Sequence, residues 1–190
     1  HLRATVESAE ELGAVVSMHL AEAPAETEYI AKNFNTTPVQ YANNLGLYGQ
    51  RLIAAHMVQL NDEDIRLTAA AGVGAVHNPT SNMKLGAGIS PVPAMLAAGV
   101  NVGLGTDGAA SNNDLDLWEE IRLAALLHKV GSGDPTAVPA QKALAMATRL
   151  GAGAVRLGDS VGQLKVGMQA DIIQLQLGAT HQQPLYDVVS

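Results

Sequence analysis

Four short apolar runs, each ending in a histidine or an aspartate, constrain the fold of this chain more than any other feature. The runs span residues 14–19, 52–56, 73–77 and 100–107, and their last residues are His19, His56, His77 and Asp107. A loop and a stretch with helical hydrophobic spacing follow each run. Nearly continuous apolar strands that alternate with helices predict a parallel sheet with helical crossovers, and hence an α/β fold.

The helical stretches carry recognisable ends. Leu2, Val6 and Leu12 predict an amphipathic helix that closes at Gly13. Asn61, followed by three acidic residues, predicts the start of a helix that runs to Gly72. Further helices are expected in residues 24–35, from residue 38, and at 92–98, 114–129 and 139–148, whereas residues 78–91 are rich in proline and glycine and predict a loop.

The character of the sequence changes after Gly151. Short alternating segments at residues 164–166 and 171–175 predict antiparallel strands of a second, smaller module. A complete eightfold barrel needs roughly 250 residues, so four strand–helix units amount to half of one. We therefore expect half of a barrel in residues 1–150 and part of another domain in residues 151–190.

Composition excludes several classes of protein. With 190 residues, 47% of them hydrophobic and 15% charged, the chain is not expected to be disordered. A formal net charge of -7 and the absence of a basic run argue against a nucleic-acid partner. The sequence contains no membrane-length apolar stretch and no signal-peptide pattern, so a cytoplasmic location and no membrane partner are expected. Because it begins at His1 and not at a methionine, we expect it to be a piece of a longer protein.

The strand ends carry the candidate chemistry. In sheets of this kind the C-terminal ends of parallel strands meet at one rim, and imidazoles with a carboxylate suit a zinc or iron site. Any metal site must use the six histidines and the carboxylates, because the chain has no cysteine. A lone histidine after an apolar run is more often a hydrogen-bonded rim residue, so spacing alone leaves both interpretations open. His1, His128 and His181 lack this setting and are assigned to the surface or to structure.

Local motifs add to this pattern. In chain order the motifs are SMHLAE (17–22), AAHMV (54–58), HNPTSNMKL (77–85), GLGTDGAASNN (103–113) and GQLKVGMQADII (162–173). The set resembles the amidohydrolase superfamily, and within it the 5-methylthioadenosine/S-adenosylhomocysteine deaminases. This resemblance implies the C-terminal half of a metal-dependent (β/α)8 TIM barrel, strands five to eight, followed by part of a composite β-sandwich.

The resemblance also implies a role for each matching residue. His19 and Asp107 match metal ligands, and the expected cofactor is one divalent ion, zinc first, with iron, manganese or nickel as alternatives. Glu22 matches the carboxyl that contacts the purine and protonates its ring nitrogen, which requires a carboxyl that is protonated near neutral pH. His56 matches the histidine that positions the attacking water, and Asp107 also matches the group that moves the water proton to the leaving ammonia. The implied reaction is hydrolytic deamination of S-adenosylhomocysteine, 5-methylthioadenosine or adenosine, a small-molecule purine nucleoside, by a homo-oligomeric full-length protein.

One departure from the family limits this reading. The family also binds its metal through a His-x-His pair on the first barrel strand, and this sequence has no such pair. The segment alone is therefore expected to be poor in metal and inactive. Two alternatives remain open: another amidohydrolase, such as a guanine deaminase or a triazine hydrolase, and a catalytically silent scaffold.

The remaining polar residues of the motifs are not assigned to the chemistry of the reaction. His77 and Asn82 are expected to line the pocket or to stabilise the loop, with neither role favoured. Ser81 has no base at a recognisable spacing, so a serine nucleophile is rejected. The stretch 111–114 is interpreted as a helix cap.

Overall fold

Four parallel strands form the centre of the computed structural model, which describes residues 1–49, 51–179 and 186–189. The strands are β1 (Val16–Leu20), β2 (Leu52–His56), β3 (Gly74–His77) and β4 (Val102–Leu104). They pair in the order β1-β2-β3-β4, so each strand lies beside its neighbour in sequence. In the register Leu20 is level with His56, and His77 is level with Leu104. The strand ends therefore come to one edge, and the α/β fold with a parallel sheet is confirmed.

Helices connect the strands and cover them. Those of the described residues are α1 (Leu2–Leu12), α2 (Pro24–Phe34), α3 (Pro38–Asn44), α4 (Asp62–Ala71), α5 (Pro79–Lys84), α6 (Val92–Ala97), α7 (Ala109–Asn112), α8 (Leu117–Ser132), α9 (Ala140–Ala147) and α10 (Arg149–Ala154). The predicted ends of α1 and α4 are confirmed, since Gly13 and Gly72 adopt left-handed conformations there. Asn61 and Asp64 form a reciprocal capping box at the start of α4.

The last helix, α10, packs closely on the sheet. It contacts β3 and β4, and a Cβ atom added to Gly74 would lie 1.9 Å from the carbonyl oxygen of Ala154. Only a residue without a side chain allows this approach. α10 spans residue 150, where the sequence suggested a domain boundary, and that division stays a prediction.

Three predictions about local structure are wrong. Residues 78–91 are not all loop, because Pro79 takes the first helical position of α5, where its missing N–H costs nothing. The stretch 111–114 does not cap α8, since Asp116 does so by accepting a hydrogen bond from the N–H of Trp118.

The third wrong prediction concerns the tail. None of the described residues after α10 belongs to a strand, so the antiparallel strands expected at 164–166 and 171–175 are not formed. Leu164 and Val166 are fully exposed or nearly so. A strand needs a neighbour to pair with its backbone, and the described part of the chain offers these segments none.

Within the described residues, no helix combines the length and the apolar character needed to cross a membrane.

Candidate active site

The residues at the ends of the two outermost strands approach each other. Nε2 of His19, on β1, lies 3.9 Å from Oδ1 of Asp107, which follows β4. In a flat sheet three strand spacings would separate β1 from β4 by about 14 Å. Curling of the sheet and the reach of both side chains together close this gap, as expected for part of a closed barrel.

His56 and Glu22 complete the cluster. Nε2 of His56 lies 3.9 Å from Oε2 of Glu22, and the rings of His56 and His19 meet edge to face with centroids 4.8 Å apart. One potential ligand atom from each of His19, Glu22 and His56 lies within 4.8 Å of the others. The structure thus brings together all four residues that the sequence analysis selected as catalytic or metal-ligating.

The backbone is strained at three positions in or next to this cluster. Ala21, His56 and Asp107 have positive φ angles of 53°, 73° and 61°. Residues other than glycine rarely adopt this conformation, which costs on the order of 1–3 kcal/mol and persists only where the surroundings enforce it. The strand ends are therefore bent sharply, and the bends direct the side chains to the shared edge.

Two serine hydroxyls hold the Asp107 carboxylate. Ser111 and Ser81 donate hydrogen bonds of 2.5 Å and 2.8 Å, both to Oδ2, and these leave Oδ1 facing His19. Burial raises the pKa of Asp107, but hydrogen bonds from Ser111, Ser81 and the backbone of Gly108, with the charge of His56, outweigh it and lower the pKa overall. The carboxylate is thus held in its ionised form.

The imidazole of His56 is fully buried, and it has a close contact at only one of its two nitrogens. Its Nδ1 lies 2.8 Å from Oδ1 of Asn82, while its Nε2 has no hydrogen-bond partner. A buried polar atom without a partner is unusual in a folded protein. In this case the atom faces the cluster, next to Glu22.

Glu26 stabilises the turn that carries Glu22. Its two carboxylate oxygens accept hydrogen bonds from the successive backbone N–H groups of Ala21 and Glu22, at 3.0 Å and 2.8 Å. Hydrogen bonds to a charged acceptor are stronger than neutral ones, and these two hold the positive φ of Ala21 in place.

We expect Glu26→Gln to weaken this turn, because an amide offers one acceptor oxygen where the carboxylate offers two. The free energy of unfolding should fall by about 1–3 kcal/mol, and kcat of the full-length enzyme should fall as Glu22 loses its fixed position. Urea unfolding and steady-state kinetics measure the two effects. Glu28→Gln, at an exposed position of the same helix, is the matched control. Equal behaviour of the two variants would contradict this role.

His77 lies outside the cluster and pairs with His128. Their Nε2 atoms are 3.2 Å apart, and both side chains are buried. Burial, with repulsion from His128 and His56, lowers the pKa of His77 to about 3, and burial lowers the pKa of His128 to about 4. His77 and His128 therefore form a neutral pair in the interior of the protein. An interior, structural position was one of the two expected for His128.

This pair predicts how stability depends on pH. Both histidines are neutral in the folded protein but bind protons near pH 6.5 when it unfolds, so their stabilising contribution is complete above pH 6.5 and is lost as the pH falls towards 4 and 3. Each histidine adds up to about 1.4 kcal/mol of slope per pH unit in that interval. Denaturant titrations between pH 7.5 and 4.5 should show a smaller slope for His128→Gln than for wild type. The exposed control His1→Gln should keep the wild-type slope, and a similar loss in both variants would contradict the assignment.

Sequence reasoning missed the supporting residues of the site. It rejected Ser81 as a nucleophile without finding its bond to Asp107, left Asn82 between two roles and interpreted Ser111 as part of a cap. The hydrogen bond between Asn82 and His56 and the one between Ser81 and Asp107 each join residues 26 positions apart, so no local spacing in the sequence indicates them. The run of polar residues in the 77–85 motif was the one available signal.

The donor set fits a divalent ion. His19 offers an imidazole nitrogen, and Asp107 offers an oxygen that neither serine occupies. The 3.9 Å between these atoms is within the roughly 4 Å that two ligands can span when each bond is about 2.0–2.2 Å. A buried, unpartnered imidazole nitrogen lies beside them.

Residues 1–189 match the model of the amidohydrolase family, and the chain belongs to this family. Similar curated proteins include 5-methylthioadenosine/S-adenosylhomocysteine deaminases of Pelotomaculum thermopropionicum, 48% identical over 100% of this chain and 44% of that protein, and of Desulforudis audaxviator, 46% identical over 98% and 44%. A 5'-deoxyadenosine deaminase of Methanosarcina acetivorans is 48% identical over 97% of this chain and 42% of its own length.

Solved structures agree with this assignment. An adenosine deaminase from Xanthomonas campestris with bound zinc superposes with a TM-score of 0.95 at 41% identity, covering 99% of this chain and 43% of that one. An atrazine chlorohydrolase from Arthrobacter aurescens complexed with zinc gives a TM-score of 0.89 at 30% identity, covering 98% and 41%. The chain spans less than half the length of the relatives it matches.

Proposed function

We propose that the full-length protein containing this chain hydrolyses the exocyclic amine from C6 of an adenosine derivative, giving the inosine analogue and ammonia. The observation that carries this proposal is the convergence of His19, Glu22, His56 and Asp107 on one edge of a curled parallel sheet. Relatives named as deaminases of 5-methylthioadenosine, S-adenosylhomocysteine and 5'-deoxyadenosine support this choice of substrate class.

His19 and Asp107 would hold one divalent ion, and zinc is the proposed metal because two similar structures contain it. When bound, such an ion acts as a Lewis acid and makes water nucleophilic near neutral pH. Further ligands must come from the part of the barrel outside this chain, since most catalytic zinc sites supply at least three protein ligands.

The chain's own residues then move protons and orient the reactants. Glu22 donates a proton to the purine ring nitrogen as water adds to C6, and His56 orients that water through its free Nε2. Asp107, ionised and held by two serines, accepts the proton of the water and delivers it to the amine as the C6–N bond breaks. The second proton of the water passes from the C6 hydroxyl back to Glu22 as the carbonyl forms. One water is consumed, one ammonia leaves, and Glu22 and Asp107 return to their starting protonation states.

The second candidate is hydrolysis of a chlorinated triazine. The observation favouring it is the TM-score of 0.89 to the atrazine chlorohydrolase. Sequence identity favours the deaminase, at 41% against 30% for the two structures.

A substrate panel separates the candidates. Ammonia release by the full-length, zinc-loaded enzyme should be fastest with S-adenosylhomocysteine, 5-methylthioadenosine, 5'-deoxyadenosine or adenosine. Faster turnover of guanine or atrazine would contradict the proposal. Absence of turnover of every compound would favour the silent scaffold.

The division into domains, the cellular location and the oligomeric state of the full-length protein stay predictions. Residues 1–150 are proposed as half of the barrel. Residues 151–190 are proposed as part of a β-sandwich whose strands form only when the rest of the full-length protein supplies strands to pair with. A cytoplasmic, homo-oligomeric full-length enzyme without nucleic-acid partners is the expected context.

A further inference from the structure

One short helix holds two of the reactive side chains at once. Adjacent residues of α5 contact the ends of different strands: Ser81 donates to Oδ2 of Asp107, after β4, and Oδ1 of Asn82 contacts Nδ1 of His56, on β2. Both distances are 2.8 Å, and both side chains of α5 are completely buried. β3, from which α5 extends, lies between β2 and β4 in the sheet and contributes no residue to the cluster.

The helix itself is anchored at both ends. At its start the N–H of Thr80 donates to Oε2 of the buried Glu120, whose Oε1 accepts from Asn112. At its end Lys84 donates to the carbonyl oxygen of Ala110 and to Oδ1 of Asn113, at 2.8 Å and 2.6 Å. These contacts fix α5 to α8 and to the segment that follows Asp107.

The contact with Asn82 determines which nitrogen of His56 carries the proton. In this structure the carboxamide oxygen of Asn82 faces Nδ1 of His56, and because such an oxygen only accepts hydrogen bonds, Nδ1 is the donor in this contact. A neutral imidazole has one N–H, and its Nε2 then presents a lone pair. This is the buried nitrogen without a partner, 3.9 Å from Oε2 of Glu22. The amide nitrogen of Asn78 lies 3.5 Å from the same Nδ1, a longer and therefore weaker contact than the 2.8 Å to Asn82.

We propose that α5 is the positioning element of the site: Asn82 holds His56 as the Nδ1–H tautomer, with its Nε2 lone pair directed into the cluster, while Ser81 holds Oδ2 of Asp107. Asn82 and Ser81 act through these two side chains. The inference on structure is independent of the substrate, and its kinetic consequence depends on the proposed function. Without Asn82 the imidazole is free to turn or to adopt the other tautomer, and Nε2 would then present a hydrogen where a lone pair is needed.

The direct test is nitrogen NMR on the metal-free full-length protein labelled with ¹⁵N-histidine, at a pH where His56 is neutral. Wild type should show an unprotonated Nε2 and a protonated Nδ1 for His56. Asn82→Leu, which keeps the branched shape of the side chain but has no acceptor, should show a mixture or the reverse tautomer. Asn82→Asp retains an acceptor oxygen and should restore the wild-type pattern, and Asn44→Leu, at an exposed position, should leave it unchanged.

Kinetics provide the second readout. With metal restored, Asn82→Leu should lose roughly 10–100-fold in kcat with little change in KM, the usual scale for residues that orient an active-site histidine. A protonated Nε2 in wild type would overturn the inference whether or not the variants fold, and so would an unchanged tautomer in folded Asn82→Leu. If the tautomers behave as expected but no nucleoside is deaminated, the proposed function fails and the positioning role stands.

Discussion

Replacing Asp107 with asparagine should reduce kcat of the full-length enzyme by about 10³-fold or more. Groups that act as general acids or bases typically contribute 10²–10⁴-fold to the rate. The serine hydroxyls can still donate to an amide oxygen, so the local structure should remain. An amide cannot accept the proton of the attacking water, and it removes the negative charge beside His19. The loss should therefore appear in kcat and in bound metal, with the melting temperature of the metal-free protein nearly unchanged.

The control for this substitution is Asp159→Asn, which removes the same charge at an exposed position. It should retain wild-type turnover and metal content. If Asp107→Asn retained more than a tenth of wild-type kcat with full metal content, the assigned role of Asp107 would be wrong.

Replacing Glu22 with glutamine should reduce kcat by about 10²–10⁴-fold, because an amide cannot donate the proton that the purine ring nitrogen requires. The backbone of Glu22 should stay in place, since Glu26 holds its N–H independently of the side chain. Metal content should therefore change little, in contrast to Asp107→Asn. Steady-state ammonia release and metal analysis measure both quantities.

Glu28→Gln is again the matched control, since it makes the same chemical change six residues further along the chain at an exposed position. If kcat of Glu22→Gln fell by less than about threefold, Glu22 would not be the group that donates the proton to the purine ring. An equal loss in both variants would point to a general effect of charge, which screening at 0.15 M salt should abolish.

The strands and the site residues were predictable from the sequence for a physical reason. Buried parallel strands are apolar on both faces, so polar residues at or after their ends stand out, as His56 does on β2 and Asp107 does after β4. The motifs around them then supplied the family. The four residues chosen in this way are the ones that the structure brings together.

The missed elements depend on contacts distant in sequence. Helix α5 is six residues long and begins at Pro79, so its local composition favours a loop, while its bonds to His56 and Asp107 connect positions 26 residues away. In the tail, by contrast, regular structure was predicted where none is formed. Residues 171–175 alternate as a strand does, but a strand forms only beside a partner, and the described residues provide none.

The metal content of the purified full-length protein, measured by plasma mass spectrometry beside ammonia release from S-adenosylhomocysteine, tests the proposed site most directly. We expect close to one divalent ion per chain, with turnover that a chelator abolishes and added zinc restores. A full-length protein that remains free of metal after incubation with zinc, or that releases ammonia at the same rate without metal, would contradict it.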